Sequence, residues 1–261
     1  MDFIHEVLKK AEQEGKIDSN LVPWKSANRG NDANKEQNTD RGSAASFITF
    51  PDEILDEVQI ILDNIRSVAK KQALRIIGVT SPDSKAGTST LATMISLIMA
   101  RNQNPGSETL LIDAQLRNPT LHEFFRLSLS PGLFDYLQDQ ISHDSIINDF
   151  DQFNLNVITA GQAHKDFAVQ LISEKLNNLL QKLKQKFECI FLDIPPVLRF
   201  AEGLSLSKLC DGLILVVRSG HTRGEAVEET KRLLKTAEVN VLGGILNRRE
   251  FFIPEKLYRF L

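Results

Sequence analysis

An excess of charge of either sign is missing from this chain: 31 lysines and arginines offset 34 aspartates and glutamates, leaving −3. That balance gives no general attraction to nucleic acid or to an anionic membrane surface. Cysteine is scarce. Its two copies, Cys189 and Cys210, lie in or just before apolar, strand-like runs and read as buried small hydrophobes. Neither has metal-ligand spacing, and the five histidines do not cluster. Long apolar runs are also lacking: the longest, Leu91 to Ala100, is about half of what a bilayer span needs. The opening MDFIHEVLKK is too polar for a signal peptide. A cytoplasmic protein is expected, reaching a membrane only through a partner.

What is present is enough chain, 261 residues, for one α/β domain with an extension. Ile4, Val7, Leu8 and Ala11 repeat at helical spacing and Gly15 can end the helix, so residues 1–17 read as an amphipathic helix. Residues 18–46 read as a flexible polar linker, with Ser26 to Ser46 rich in Asn, Asp, Gly, Lys and Ser. The helix either docks on a partner or packs on the main domain. Trp24, the only tryptophan, is likewise either an interface anchor or a loop residue packed on the domain.

The main domain, residues 47–261, opens with Pro51, Asp52 and Glu53, which suit the first turn of a helix. Ile54, Leu55, Val58, Ile61, Leu62, Ile65 and Val68 give that helix one apolar stripe. Strands are predicted at Leu74 to Val79, Leu110 to Asp113, Leu155 to Thr159, Cys189 to Asp193, Gly212 to Val217 and Val241 to Leu246. Further helices are predicted at Ser89 to Arg101, Phe167 to Phe187 and Arg223 to Ala237. Strands this apolar are covered on both faces, so the expected fold is α/β, a parallel β-sheet flanked by helices. Ligands in such folds sit at the carboxyl ends of the strands.

Three strand ends line up as a nucleotide site. The first is GVTSPDSKAGTST, Gly78 to Thr90, a strand–turn–helix in the position of a phosphate-binding P-loop. Gly87 allows close backbone approach, the helix start offers amides to an anion, and Ser89 can place a hydroxyl on magnesium. The second is LLIDAQLRNP, where Asp113 ends a strand, and the third is CIFLDIPPV, where Asp193 does. Carboxylates there can hold magnesium directly or through water. A lone aspartate closing a strand is often only the start of a loop; two after such a turn are more informative. Arg117 suits either a phosphate or a nearby acid. Lys182, Lys184 and Lys186 read as a solvated helix face, and Arg248 and Arg249 as surface residues.

This combination resembles the cytoplasmic domain of the bacterial tyrosine kinases (BY-kinases), P-loop proteins that work with membrane polysaccharide co-polymerases in capsule and exopolysaccharide export. The likeness covers about Pro51 to Asn247. LLIDAQLRNPTLHEFF is similar to the family's second acidic motif, and PGLFDYL to its Gly-Leu-x-Asp-Tyr-Leu segment. FLDIPPVL is similar to its Asp-x-Pro-Pro motif, and DGLILVVRSGHTR with VLGGILNR to its final strands. The resemblance implies a P-loop NTPase-like fold, an ATP/ADP and magnesium site, and an inner-membrane co-polymerase as partner. It implies no nucleic-acid partner.

The departures matter as much. Thr88 stands where the P-loop lysine belongs, and Lys85 where the family has glycine. Gln115 replaces the second aspartate of the acidic motif. The family's oligomerising Glu-x-x-Arg-x-x-Arg falls on Asp56, Gln59 and Leu62, so both arginines are gone. The tyrosine-rich tail is absent too, Tyr136 and Tyr258 being the only tyrosines. The nucleotide-binding stretch is Lys85, Gly87, Thr88, Ser89 and Thr90; the metal set is Ser89, Asp113 and Asp193; Asp113 and Asp193 are vestigial as catalytic residues. The leading expectation is a degenerate member, a binding or regulatory subunit at the inner face of the inner membrane. It has weak or no kinase activity, weak or no ATP and magnesium binding, and any self-association uses another surface. The rivals are an active tyrosine kinase or ATPase using Lys85, and a partition-like positioning ATPase.

Overall fold

A computed structural model describes residues 52–102, 107–138, 141–150, 154–163, 168, 171 and 173–248. The predicted amino-terminal helix and linker, Trp24, Arg249, Tyr258 and the segment after Arg248 lie outside the described residues. Seven strands form one sheet: β1 (Ile76–Thr80), β2 (Thr109–Asp113), β3 (Ile147–Phe150), β4 (Leu155–Ile158), β5 (Cys189–Asp193), β6 (Gly212–Arg218) and β7 (Val241–Asn247). Their order is β3-β4-β2-β5-β1-β6-β7. The helices are α1 (Asp52–Gln72), α2 (Thr88–Arg101), the short α3 (Leu121–Phe124) and α4 (Leu133–Leu137), α5 (Glu174–Lys186), α6 (Ala201–Ser207) and α7 (Gly224–Thr236).

Alternation along the central strands divides the interior into two cores. Ile77 and Val79 of β1, Leu111 of β2 and Phe191 of β5 face one way, onto Val58, Leu62 and Ile65 of α1 and the apolar side of α2. Ile76, Leu110, Ile112, Ile190 and Leu192 face the other way, onto Leu176, Leu179, Leu180 and Leu183 of α5 and Leu206 of α6. Such continuous apolar strands suit a parallel sheet covered on both faces. Gly78 is required in the middle of β1: a Cβ there would lie 2.7–2.8 Å from Ile194, Cys210 and Leu213.

The expected α/β fold, a mostly parallel sheet flanked by helices, is present, with differences at three places. The sheet is not wholly parallel, because β3 pairs antiparallel with β4 at one edge. That strand went unpredicted: Asn148 and Asp149 interrupt its apolar pattern, as a half-exposed edge permits. At the other edge, β7 is apolar yet largely uncovered, with Val241 and Leu246 exposed. Of the helix expected from Phe167 to Phe187, the continuous described part is Glu174–Lys186, behind Ser173.

The end of the sheet remote from the strand carboxyl termini is fastened by Asp211. Its Oδ2 accepts the backbone N–H groups of Arg75 at 2.9 Å and Ile76 at 2.8 Å, and its Oδ1 accepts from Lys184 Nζ at 2.7 Å. Lys184 is thus an anchor rather than part of a solvated face. Burial alone would raise the Asp211 carboxyl, but Lys184 and the two amides outweigh it and hold the group below its ordinary value. A depressed carboxyl contributes stability above its unfolded value and loses it as pH falls through the folded one. Asp211→Asn is expected to cost about 1–3 kcal/mol at neutral pH. In urea titrations the gap to wild type should close as the pH drops below the ordinary value of 3.8.

Candidate functional site

The site lies at the carboxyl end of β1, β5 and β2, where the turn from β1 enters α2. Left-handed backbone at Lys85 (φ 66°) and Gly87 (φ 89°) brackets Ala86 and reverses the chain. A Cβ on Gly87 would lie 2.3 Å from Asn247 Nδ2. That amide, at the end of β7, donates to the Ala86 carbonyl at 2.8 Å and so pins the turn from across the sheet. Ser81 braces it from inside, donating to the Asp83 carbonyl at 2.7 Å. The first intrahelical bond of α2 runs from Leu91 N–H to Gly87 C=O, so the amides of Thr88, Ser89 and Thr90 open toward the turn. No acidic side chain occupies that first turn. The backbone therefore fits an anion.

The side chains furnish less. Thr88 is buried, and its hydroxyl turns back to donate to Ser81 Oγ at 3.3 Å. Lys85 is exposed on the rim of the turn. Thr90 is half-buried behind Ser89.

Register places Asp113 of β2 directly beside Asp193 of β5, and both are fully buried. Asp113 accepts three backbone amides: Gln115 at 3.0 Å, Thr120 at 3.2 Å and Leu121 at 3.1 Å. It thereby shapes the loop into α3. Asp193 Oδ1 accepts from Gln115 Nε2 at 2.8 Å, and the same nitrogen donates to Ser89 Oγ at 3.0 Å. Asp193 Oδ2 is buried without a partner. Burial pushes both carboxyls up, Asp113 to about 6 against its three amides, and Asp193 to about 8, where the Asp113 charge adds to burial. Both shifts run the same way: burial and mutual repulsion favour a protonated pair.

Of the residues expected here, Ser89, Asp113 and Asp193 are brought together. Lys85 stands apart on the rim, and Thr88 faces inward. Arg117 belongs with an acid: its Nε lies 2.6 Å from the buried Glu202 and its guanidinium sits over Phe200. Two members went unread. Asn247 ends an apolar strand just as the two aspartates do, and that was its signal. Gln115 registered only as a missing aspartate. The PGLFDYL segment is structural: Asp135 accepts Gly132 N–H at 2.7 Å, and Leu133 and Phe134 N–H bond the Thr159 and Ala160 carbonyls beyond β4.

The chemistry of this donor set decides what it fits. Magnesium demands an octahedron of oxygens at about 2.0–2.1 Å. Here a nitrogen donor lies between the hydroxyl and the carboxylate that would serve it, and Asp113 is committed to amides. As arranged, the side chains do not fit magnesium, whereas the backbone turn fits a phosphate.

No protein-family model matches the chain. Tyrosine-protein kinase YwqD of Bacillus subtilis (strain 168) is 29% identical over 195 residues, covering 75% of this chain and 81% of that protein. Tyrosine-protein kinase ptk of Acinetobacter johnsonii is 31% identical over 172 residues, which are 66% of this chain but 23% of that protein. Among solved structures, the kinase domain of VpsO superposes with a TM-score of 0.68 at 29% identity, covering 76% of this chain and 98% of that domain.

The buried carboxyl pair gives a signed pH dependence. Asp193 keeps its proton to about 8 when folded, against an ordinary value of 3.8. Its share of stability is complete below the ordinary value and is lost as pH rises through the folded one. Asp193→Asn cannot ionise. Its urea midpoint should fall less than that of wild type between about pH 4 and about pH 8; equal falls would place the charge elsewhere.

Proposed function

We propose that the chain, similar to bacterial tyrosine kinases over about three quarters of its length, is a degenerate member of that family with little or no kinase activity. In this reading it works as a cytoplasmic binding or regulatory subunit in bacterial capsule or exopolysaccharide production and export. The carrying observation is that neutral side chains, Thr88 and Gln115, occupy the positions of a P-loop lysine and a metal-side aspartate, and that both are tied into the protein by hydrogen bonds. Losing one charge-assisted hydrogen bond costs about 1.5–3 kcal/mol, roughly a ten- to hundred-fold loss of affinity. Phosphoryl transfer suffers more than binding, because its transition state is stabilised chiefly by cations fixed around the moving group.

Leu62 supports a separate loss. It stands at an oligomerising arginine position of the family and is fully buried in the α1–α2 core. A surface contact made by a guanidinium is not available from that position. The proposed partner is an inner-membrane polysaccharide co-polymerase, by which the chain reaches the membrane; no helix among the described residues is long and apolar enough to cross one. The proposed docking piece is the segment 1–17, whose apolar residues repeat at helical spacing.

One observation favours a second reading, an active ATP-dependent kinase. Lys85 is exposed on the turn that opens toward the anion position, so its ammonium is the cation available there. Calorimetric titration with ATP separates the two. Thr88→Lys is expected to bind ATP about ten- to hundred-fold more tightly than wild type, and wild type to leave tyrosine peptides unphosphorylated. Micromolar binding by wild type that disappears in Lys85→Ala would reverse the assignment.

A further inference from the structure

The geometry points to Gln115 as a built-in substitute for the divalent cation, a neutral donor that closes the Ser89–Asp193 slot and makes this site indifferent to magnesium. The inference rests on the reading of a degenerate site and says how that site is kept intact without its ion.

The distances carry it. Gln115 Nε2 lies 3.0 Å from Ser89 Oγ and 2.8 Å from Asp193 Oδ1. In hydrogen bonds of that length each amide hydrogen sits about 1.9–2.0 Å from its oxygen. A magnesium ion would sit about 2.0–2.1 Å from the same two oxygens. Each oxygen thus meets one amide hydrogen, a partial positive charge about as far away as a bound ion would be. The group is held there from behind, because the Gln115 backbone N–H donates to Asp113 Oδ1 at 3.0 Å. One residue therefore ties together the start of α2, the end of β5 and the loop leaving β2, the elements that a bound ion would otherwise bridge.

Admitting a cation means breaking both amide bonds and rotating a half-buried side chain. Asp113 offers little in exchange, since its two oxygens already accept three backbone amides, so the oxygen left open is the buried Asp193 Oδ2. An aspartate at position 115 is too short to make the bridge and offers an oxygen ligand instead. Specificity here is set by one methylene and one amide: length to reach Ser89 and Asp193 together, and N–H where a metal site needs oxygen.

The test uses the full chain with Mn²⁺ alone and no nucleotide. In nitrogen-15 spectra, the side-chain amide of Gln115, assigned by its absence in Gln115→Ala, should stay sharp in millimolar Mn²⁺. Paramagnetic loss of that signal at lower concentrations overturns the inference. Gln115→Asp should bind Mn²⁺ more tightly than wild type by more than about tenfold, read by calorimetry and by a metal-dependent rise in Tm. A folded Gln115→Asp that gains no Mn²⁺ affinity also overturns it; should that variant fail to fold, the wild-type spectrum decides. The outcomes are separable from those of the function assay. Tight ATP binding without metal would defeat the degenerate reading and leave this inference standing, and Mn²⁺ capture at Gln115 with no ATP binding would do the reverse.

Discussion

Two buried carboxyl groups placed side by side constrain the rest of the site. β2 and β5 pair so that Asp113 and Asp193 share a register position and are both fully buried. Two adjacent buried negative charges are costly, so the pair needs a cation, a proton or a set of donors. Here the structure uses the last two. Three backbone amides hold Asp113, an amide side chain holds Asp193, and burial keeps a proton in the pair. The loop leaving β2 and the start of α2 are positioned by those same bonds. Each of these donors is neutral and part of the chain, and Asp193 Oδ2 alone is left buried without one.

Stability and chemistry are consequently separable at this site. The turn before α2 keeps its shape through Ser81 to Asp83, Thr88 to Ser81 and Asn247 to Ala86, all hydrogen bonds between neutral groups. None of them needs an ammonium. The turn therefore holds its shape with Thr88 in place, on neutral bonds alone, in a frame that superposes on a kinase domain.

Much of the fold was legible because it follows from local pattern. The α1 stripe at Val58, Leu62 and Ile65 faces the core, and the short apolar runs became central strands with side chains alternating between two cores. The edges were harder to read. β3 carries Asn148 and Asp149 and is defined by pairing with β4, while β7 is apolar without being covered, so hydropathy misjudged both. Within the site, residue types at strand ends revealed Asp113 and Asp193. The part played by Gln115 was hidden, because it depends on how β2 and β5 align and on how far α2 stands from them. A substitution reads in sequence as something lost; only the neighbouring oxygens reveal what took its place.

The same reasoning applies to the face of α1. A position that carries an arginine at an oligomer contact in the family resemblance carries Leu62 here, and that side chain is wholly enclosed. Gln59, at the other arginine position, spends its amide on Asp63 and its carbonyl on Asn102 at the end of α2. Both positions are thus engaged within the subunit, one by packing and one by hydrogen bonding. The site and the helix share that pattern: Thr88 and Gln115, like Gln59 and Leu62, are engaged by groups of the chain itself.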